Sequence, residues 1–131
     1  MTTIKSHTDL SQSKKLAEIL PLESADMLFQ LGEDKYADSI RVPLTKKHWE
    51  QMMPDINPCW SLAALLEEIP EIINFDDDES DYALEILKEG DLYYLSYGNP
   101  LEGDKLNIEP QENFVDACVA MIEKLNELNL L

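Results

Sequence analysis

Glycine, cysteine, histidine and basic residues are all scarce in this chain of 131 residues, and each shortage removes a class of site. The glycines, Gly32, Gly90, Gly98 and Gly103, are scattered, so no glycine-rich loop is available to cradle a phosphate. The two histidines, His7 and His48, are too few for a zinc cluster, and Cys59 and Cys118 form neither a CxxC pair nor a disulfide framework. Each cysteine lies in apolar sequence, where a free thiol packs as a small hydrophobe. Ten Lys plus Arg stand against 27 Asp plus Glu, a net charge of -17. Such a chain repels a phosphate backbone unless its cations gather on one face, and the basic cluster "TKKHW" (Thr45 to Trp49) is too small for that. Direct nucleic-acid binding is therefore not expected. No apolar run approaches the roughly 18 residues of a membrane helix. The opening "MTTIKSHTDLSQSKK" has no apolar stretch of the secretory kind. The expectation is a soluble, cytoplasmic protein without membrane association.

What is present suffices for one core. A chain of this length with 44% hydrophobic residues is expected to form a single domain, 1–131, with residues 1–8 polar and flexible. Asp9 is placed to cap a helix over about 10–20, stopped by Pro21. "LESADMLFQLG" reads as a short second helix capped by Ser24, with Met27, Leu28 and Leu31 on its apolar face and Gly32 at its exit. "SIRVP" alternates as a short edge strand around Ile40 and Val42, limited by Pro43. "LTKKHWEQMM" suits a turn or two of helix with Leu44, Trp49 and Met52 inward, and the chain from Pro54 to Pro58 reads as loop. In "PCWSLAALLEEIP", Leu62, Leu65, Leu66 and Ile69 recur with helical spacing, giving a helix over about 58–69 whose cap is Asn57 or Ser61.

Beyond the acidic run, Tyr82, Leu84 and Ile86 alternate as a strand with one buried face, and "KEGD" turns it into "LYYLSY". The pair is an antiparallel hairpin over about 82–97. "GNPLEGDKLNIEPQE" follows as a turn-rich connection. The last helix, about 113–128, keeps Phe114, Ala117, Cys118, Met121, Ile122, Leu125 and Leu128 on one face. A hairpin cannot shield its own apolar face, so the fold class expected is α+β: a small antiparallel sheet built on the hairpin and packed against amphipathic helices.

Three constellations invite a chemical reading. "NFDDDESDYALE" places oxygen donors at calcium-loop positions when counted from Asn74, but Glu79 stands where the loop needs glycine and Asp81 where it needs an apolar residue. A solvated acidic loop is the simpler reading, and no metal is expected. Cys59 near a helix start could be activated by His48, yet neither lies in a recognised catalytic context. The hairpin tyrosines suit cross-strand packing, with an outward set able to form a contact patch. Candidate interaction residues are therefore Asp76, Asp77, Asp78, Glu79, Asp81, Tyr93, Tyr94 and Tyr97, and no catalytic residue or cofactor is expected.

The order "QSKKLAEILPLESADM", "PCWSLAALLEEIP", "YALEIL…DLYYLSY" and "VDACVAMIEKLNELNLL" resembles a family of small uncharacterised proteins of Bacteroides-type gut bacteria and their phages or mobile elements. That family is typified by an "SADM" segment, a "PAWSL-ALL-LP" segment and a closing "DA-V-MI-KL" helix. Cys59 stands here where a small residue is usual before Trp60. The resemblance implies a mobile-element origin and no particular activity. The function expected is that of a non-enzymatic accessory protein with a protein partner. An acidic DNA mimic acting in counter-defence, or a small hydrolase-like enzyme with a carboxylate and tyrosine site, are the alternatives.

Overall fold

Asp9 starts the first helix by the means its side chain suggests. Its carboxylate accepts from the Gln12 N–H at 2.8 Å while the Gln12 side-chain oxygen accepts from the Asp9 N–H at 3.1 Å, a reciprocal capping box. The computed structural model describes residues 5–30, 37–40, 44–75 and 80–131. Among them the fold is α+β, with helices and two antiparallel sheets in two compact units, Lys5–Glu68 and Ile69–Leu131.

In the first unit, α1 (Leu10–Leu16) ends before the expected Leu20, giving way to turns and then Pro21. The helix expected after Ser24 does not form. Leu22–Ser24 make a single 3-10 turn, Ser24 gives its hydroxyl to the Pro21 carbonyl at 2.6 Å, and Met27–Gln30 become a strand, β1. β1 lies between β2 (Ala37–Ser39) and β3 (Ile56–Cys59), so pairing with distant segments has overridden a helical pattern. Leu31, Gly32, Val42 and Pro43 lie outside the described residues. β2 is an edge strand as expected, but it starts earlier than the alternation suggests; Ile40 falls beyond it and donates its N–H to the Asp26 carbonyl at 2.9 Å.

Thr45 caps α2 (Lys46–Met52) by accepting from the His48 N–H at 3.2 Å, and Trp49 is its buried residue. The stretch expected to loop toward Pro58 instead contains β3. Pro58 is tolerated because β3 is also an edge of its sheet. α3 (Leu62–Glu68) consequently starts at Leu62 rather than Pro58. Its cap is Ser61, whose oxygen accepts from the Ala64 N–H at 3.2 Å, while Asn57 donates to the Pro54 carbonyl at 2.9 Å. α1 and α2 both pack on β3. Residues 5–8, expected to be flexible, are held: Thr8 is fully buried, its N–H donates to the Trp60 carbonyl at 2.9 Å, and Ser6 accepts from the Leu62 N–H at 3.1 Å.

The second unit carries the expected hairpin within a larger sheet. β4 (Ile72–Asn74), β5 (Asp81–Glu89), β6 (Leu92–Asn99) and β7 (Gly103–Asn107) form it in that order, all neighbours antiparallel. Gly90, at φ 62°, and Asp91 make the two-residue link between the paired Glu89 and Leu92. β7 occupies part of the stretch expected to be turn-rich connection. It approaches so closely at the bulge beside Gly98 that a Cβ there would sit 2.8 Å from the Gly103 carbonyl oxygen. α4 (Phe114–Glu127) packs on β6 and buries Ala117, Cys118, Met121, Ile122 and Leu125 as their spacing predicts, together with Val115 and Val119. Leu128 falls past the helix end and is exposed.

Trp60 is fully buried, and its indole N–H donates to the Ser24 hydroxyl at 2.9 Å. Trp60→Ala should destabilise the protein by about 3–5 kcal/mol, read as a lowered urea midpoint. An unchanged midpoint would contradict this packing.

Candidate functional site

The strand register decides which hairpin side chains can meet a partner. Directly opposed residues share a face, so Tyr93, Leu95 and Tyr97 lie with Lys88, Ile86 and Leu84 on one side, while Tyr94 and Ser96 lie with Leu87 and Glu85 on the other. The first is the inner side, against α4: Tyr93 stacks on Phe114 with ring centroids 5.1 Å apart. Lys88 Nζ lies 5.4 Å from the Tyr93 ring centroid.

The candidate residues therefore separate. Tyr97 is fully buried and donates its hydroxyl to the Pro70 carbonyl at 2.6 Å, and burial pushes its ionisation well above the ordinary phenol value. It is a core residue and offers no surface to a partner. Tyr93 is half-buried under α4. Tyr94 is half-buried on the outer side opposite Leu87, and Asp81 is exposed on the same side at the start of β5. From Leu87, the cross-strand neighbour of Tyr94, Asp81 lies six residues back along β5, on the order of 20 Å. Asp76, Asp77, Asp78 and Glu79 lie outside the described residues.

The expected single buried face of β5 is only half realised. Tyr82 is fully buried, but Ile86 is 46% and Leu87 55% exposed, on opposite faces of the same strand. Ile72, opposite Ala83 on the outer side, is 58% exposed. Among the described residues, every large exposed hydrophobic side chain belongs to Ile69–Leu131. Charge is concentrated there too: residues 69–131 hold 16 acids and 3 lysines, or -13 of the chain's -17. On the outer side Glu85, Leu87, Tyr94, Asp104, Asn107 and Ile108 border a groove of about 170 Å³, too small to enclose an organic ligand. Ile72, Ile86 and Leu87 were the residues that sequence reasoning missed. The signal for two of them was the adjacent pair Ile86-Leu87, since neighbours on a strand cannot both face one core.

The histidine that lies beside Cys59 is His7 rather than His48. Cys59 Sγ is 3.9 Å from His7 Nδ1 and 3.4 Å from the Thr8 carbonyl, to which it donates. His7 Nδ1 is also 2.9 Å from that carbonyl; a carbonyl only accepts, so Nδ1 carries the proton and cannot serve as a base for the thiol. Burial pushes the Cys59 thiol above its ordinary value, the Asp26 carboxylate adds to this, and hydrogen bonds from Thr8 and Ser13 oppose it. A neutral thiol packed this way is a poor nucleophile. His48 Nδ1 lies instead 3.1 Å from the Thr45 hydroxyl.

Among the described residues, no group of histidine, cysteine and carboxylate side chains could hold a metal ion, and no helix is long and apolar enough to cross a membrane. A cleft of about 540 Å³ in the first unit is bordered by Glu18, Glu23, Lys46 and Glu50, the last two paired at 3.8 Å. A second, of about 450 Å³, runs along α4 past Glu123, Lys124 and Glu127. No Ser, Thr, Cys or His lines either one among the described residues. No protein-family model matches the chain, and no curated protein or solved structure matches it.

Both thiols tie stability to alkaline pH. Burial lifts Cys118 from 9.0 to about 12, and Cys59 moves in the same direction. A folded-state pKa above the unfolded one leaves stability intact below the unfolded value and removes it as pH rises through the folded one. Stability should hold to about pH 9 and then fall, by about 1.4 kcal/mol per pH unit from Cys118 toward its raised value, with Cys59 contributing in the same direction. Urea titrations across that range should show a shallower fall for Cys118→Ala.

Proposed function

We propose that the protein is a non-enzymatic accessory factor that binds another protein, and that the sheet of its second unit is the binding element. One observation carries this reading: the exposed Ile72, Ile86 and Leu87 lie on the sheet of the unit that also holds -13 of the net charge. Apolar side chains left in water on an ordered sheet are a standing source of association free energy, about 25 cal/mol for each Å² covered. The surrounding carboxylates favour a basic partner and repel acidic ones, which sets specificity and speeds encounter. Membership of a mobile element's accessory set is part of the proposal and rests on the sequence resemblance.

The same charge concentration supports a second reading, in which the unit imitates the phosphate row of a nucleic acid and occupies a basic site. The two differ in what they need. Mimicry depends on charge and weakens steeply with salt, whereas docking on the sheet depends on the apolar residues.

Affinity capture with the tagged protein and its Leu87→Lys variant, each at low and high salt, separates them. The expected result is one stoichiometric partner, retained in salt and lost with Leu87→Lys. Loss in salt with indifference to Leu87→Lys would favour mimicry. The same proteins recovered on both baits in both conditions would defeat both readings.

A further inference from the structure

β5 has hydrogen-bonding groups that its own sheet does not use. On one side it pairs with β6 from Ala83 to Glu89. On the other, β4 reaches only Asp81 to Ala83, and one further bond joins the Leu84 N–H to the Glu71 carbonyl at 2.9 Å. In an antiparallel ladder successive residues direct their N–H and C=O alternately to the two sides. Because Leu84 turns toward Glu71, Ile86 and Lys88 turn to that side as well, where no strand lies among the described residues. All five side chains from Glu85 to Glu89 are exposed.

Natural sheet edges are protected by charge, proline, bulges or cover. This edge has charges, yet between them it sets Ile86 and Leu87 in water on opposite faces. A partner lying on one face could cover only one of the two. A strand added to the edge covers both, because its own side chains alternate across the sheet.

We infer that the open edge of β5 from Glu85 to Glu89 takes up an extended basic segment of a partner protein as an added antiparallel strand. This deepens the partner-binding reading and rests on it. On the outer face Leu87 lies between Glu85 and Glu89, so the incoming strand sets an apolar residue across Leu87 and Lys or Arg across each glutamate. On the inner face it sets a β-branched residue across Ile86 and an acid across Lys88. A second copy of this chain does not fit. Two-fold antiparallel pairing centred on Leu87 would oppose Glu85 and Glu89 twice, and centred on Ile86 it would oppose Glu85 and Leu87 twice.

The test uses the full chain, ¹⁵N-labelled, and the probe peptide acetyl-Thr-Lys-Glu-Val-Val-Lys-amide, whose second valine falls opposite Ile86. Saturable binding below about 1 mM is expected, with amide shifts centred on residues 85–89. Methylating the backbone nitrogen of that valine should weaken binding about tenfold or more, as should Lys88→Pro, which removes an N–H from the open side only. Circular dichroism of the variant checks that the sheet persists. Equal binding of the N-methylated peptide would overturn strand addition and leave docking on a face of the sheet intact. Equal binding of the charge-reversed peptide acetyl-Thr-Glu-Lys-Val-Val-Glu-amide would overturn the basic chemistry. No binding of any peptide, or a dimer in sedimentation that Lys88→Pro dissolves, would overturn the inference itself.

Discussion

A four-stranded sheet packed under one amphipathic helix cannot hide all its apolar side chains, and the character of the C-terminal unit follows from that shortage. α4 has 14 residues, about 21 Å of helix, and it packs on β6. Leu95 and Tyr97 are buried there, whereas their cross-strand neighbours on β5, Ile86 and Leu84, are exposed and half-buried. The hairpin therefore has a protected strand and a strand that loses its cover toward the turn. On the outer side of the same sheet, Leu87 and Ile72 are exposed and Tyr94 is half-buried, with Glu85 and Glu89 beside Leu87 along the strand. A sheet solvated on one side normally presents polar residues there, so apolar residues at these positions depart from the usual pattern and support the proposed docking of a partner.

The first unit solves its problem differently, by tying remote segments with buried and part-buried polar bonds. Asp26, just before β1, accepts from the Ser61 N–H at 2.8 Å and from the Ser61 hydroxyl, and Ser61 in turn caps α3. Thr8 sets its hydroxyl between Ser13, at 2.7 Å, and the Trp60 N–H, at 3.2 Å. Trp60 reaches Ser24. Each bond satisfies a group whose burial alone would cost about 1–3 kcal/mol, so the N-terminal segment, the start of β1 and the start of α3 are fixed together. Cys59 belongs to this knot as a packed thiol. The "PCWSLAALLEEIP" segment is thus structural: Pro58 and Cys59 end an edge strand, Trp60 fills the core, and Ser61 begins a helix.

For function, the contrast between the units matters more than any single pocket. In the first, Thr8, Ser13, Asn57 and the Trp60 indole are turned inward and hydrogen-bonded, the Trp49 indole N–H is buried without a partner, and no large hydrophobic residue is left exposed among those described. In the second, hydrogen-bonding capacity, apolar surface and negative charge remain unspent together along β5. Catalysis generally needs convergent polar groups in a recess shielded from water, whereas recognition needs unspent surface. The distribution of what is unspent is the physical basis for the proposal that the molecule binds a partner.

Amphipathic periodicity by itself determined α4, and a glycine-containing turn between alternating segments determined the β5–β6 hairpin, because both are local patterns whose period does not depend on distant residues. Proline positions fixed where α1, α2 and α3 had to have stopped, and the Asp9 cap fixed where α1 starts. The sequence did not reveal β1 and β3. Met27–Gln30 carries a helix-like spacing and Ile56–Cys59 contains a proline, and each is a strand because it pairs with the other across the chain, an energy that no local window contains. The fates of the tyrosines were hidden for the same reason: all three lie on one strand, Tyr93 and Tyr97 on one face and Tyr94 on the other, and only the position of α4 decides which face is the inner one. Tertiary structure alone also decided that the pairing of β4 with β5 would end at Ala83, freeing the edge of β5 beyond it, since how far a strand is paired depends on where its neighbour's chain turns away.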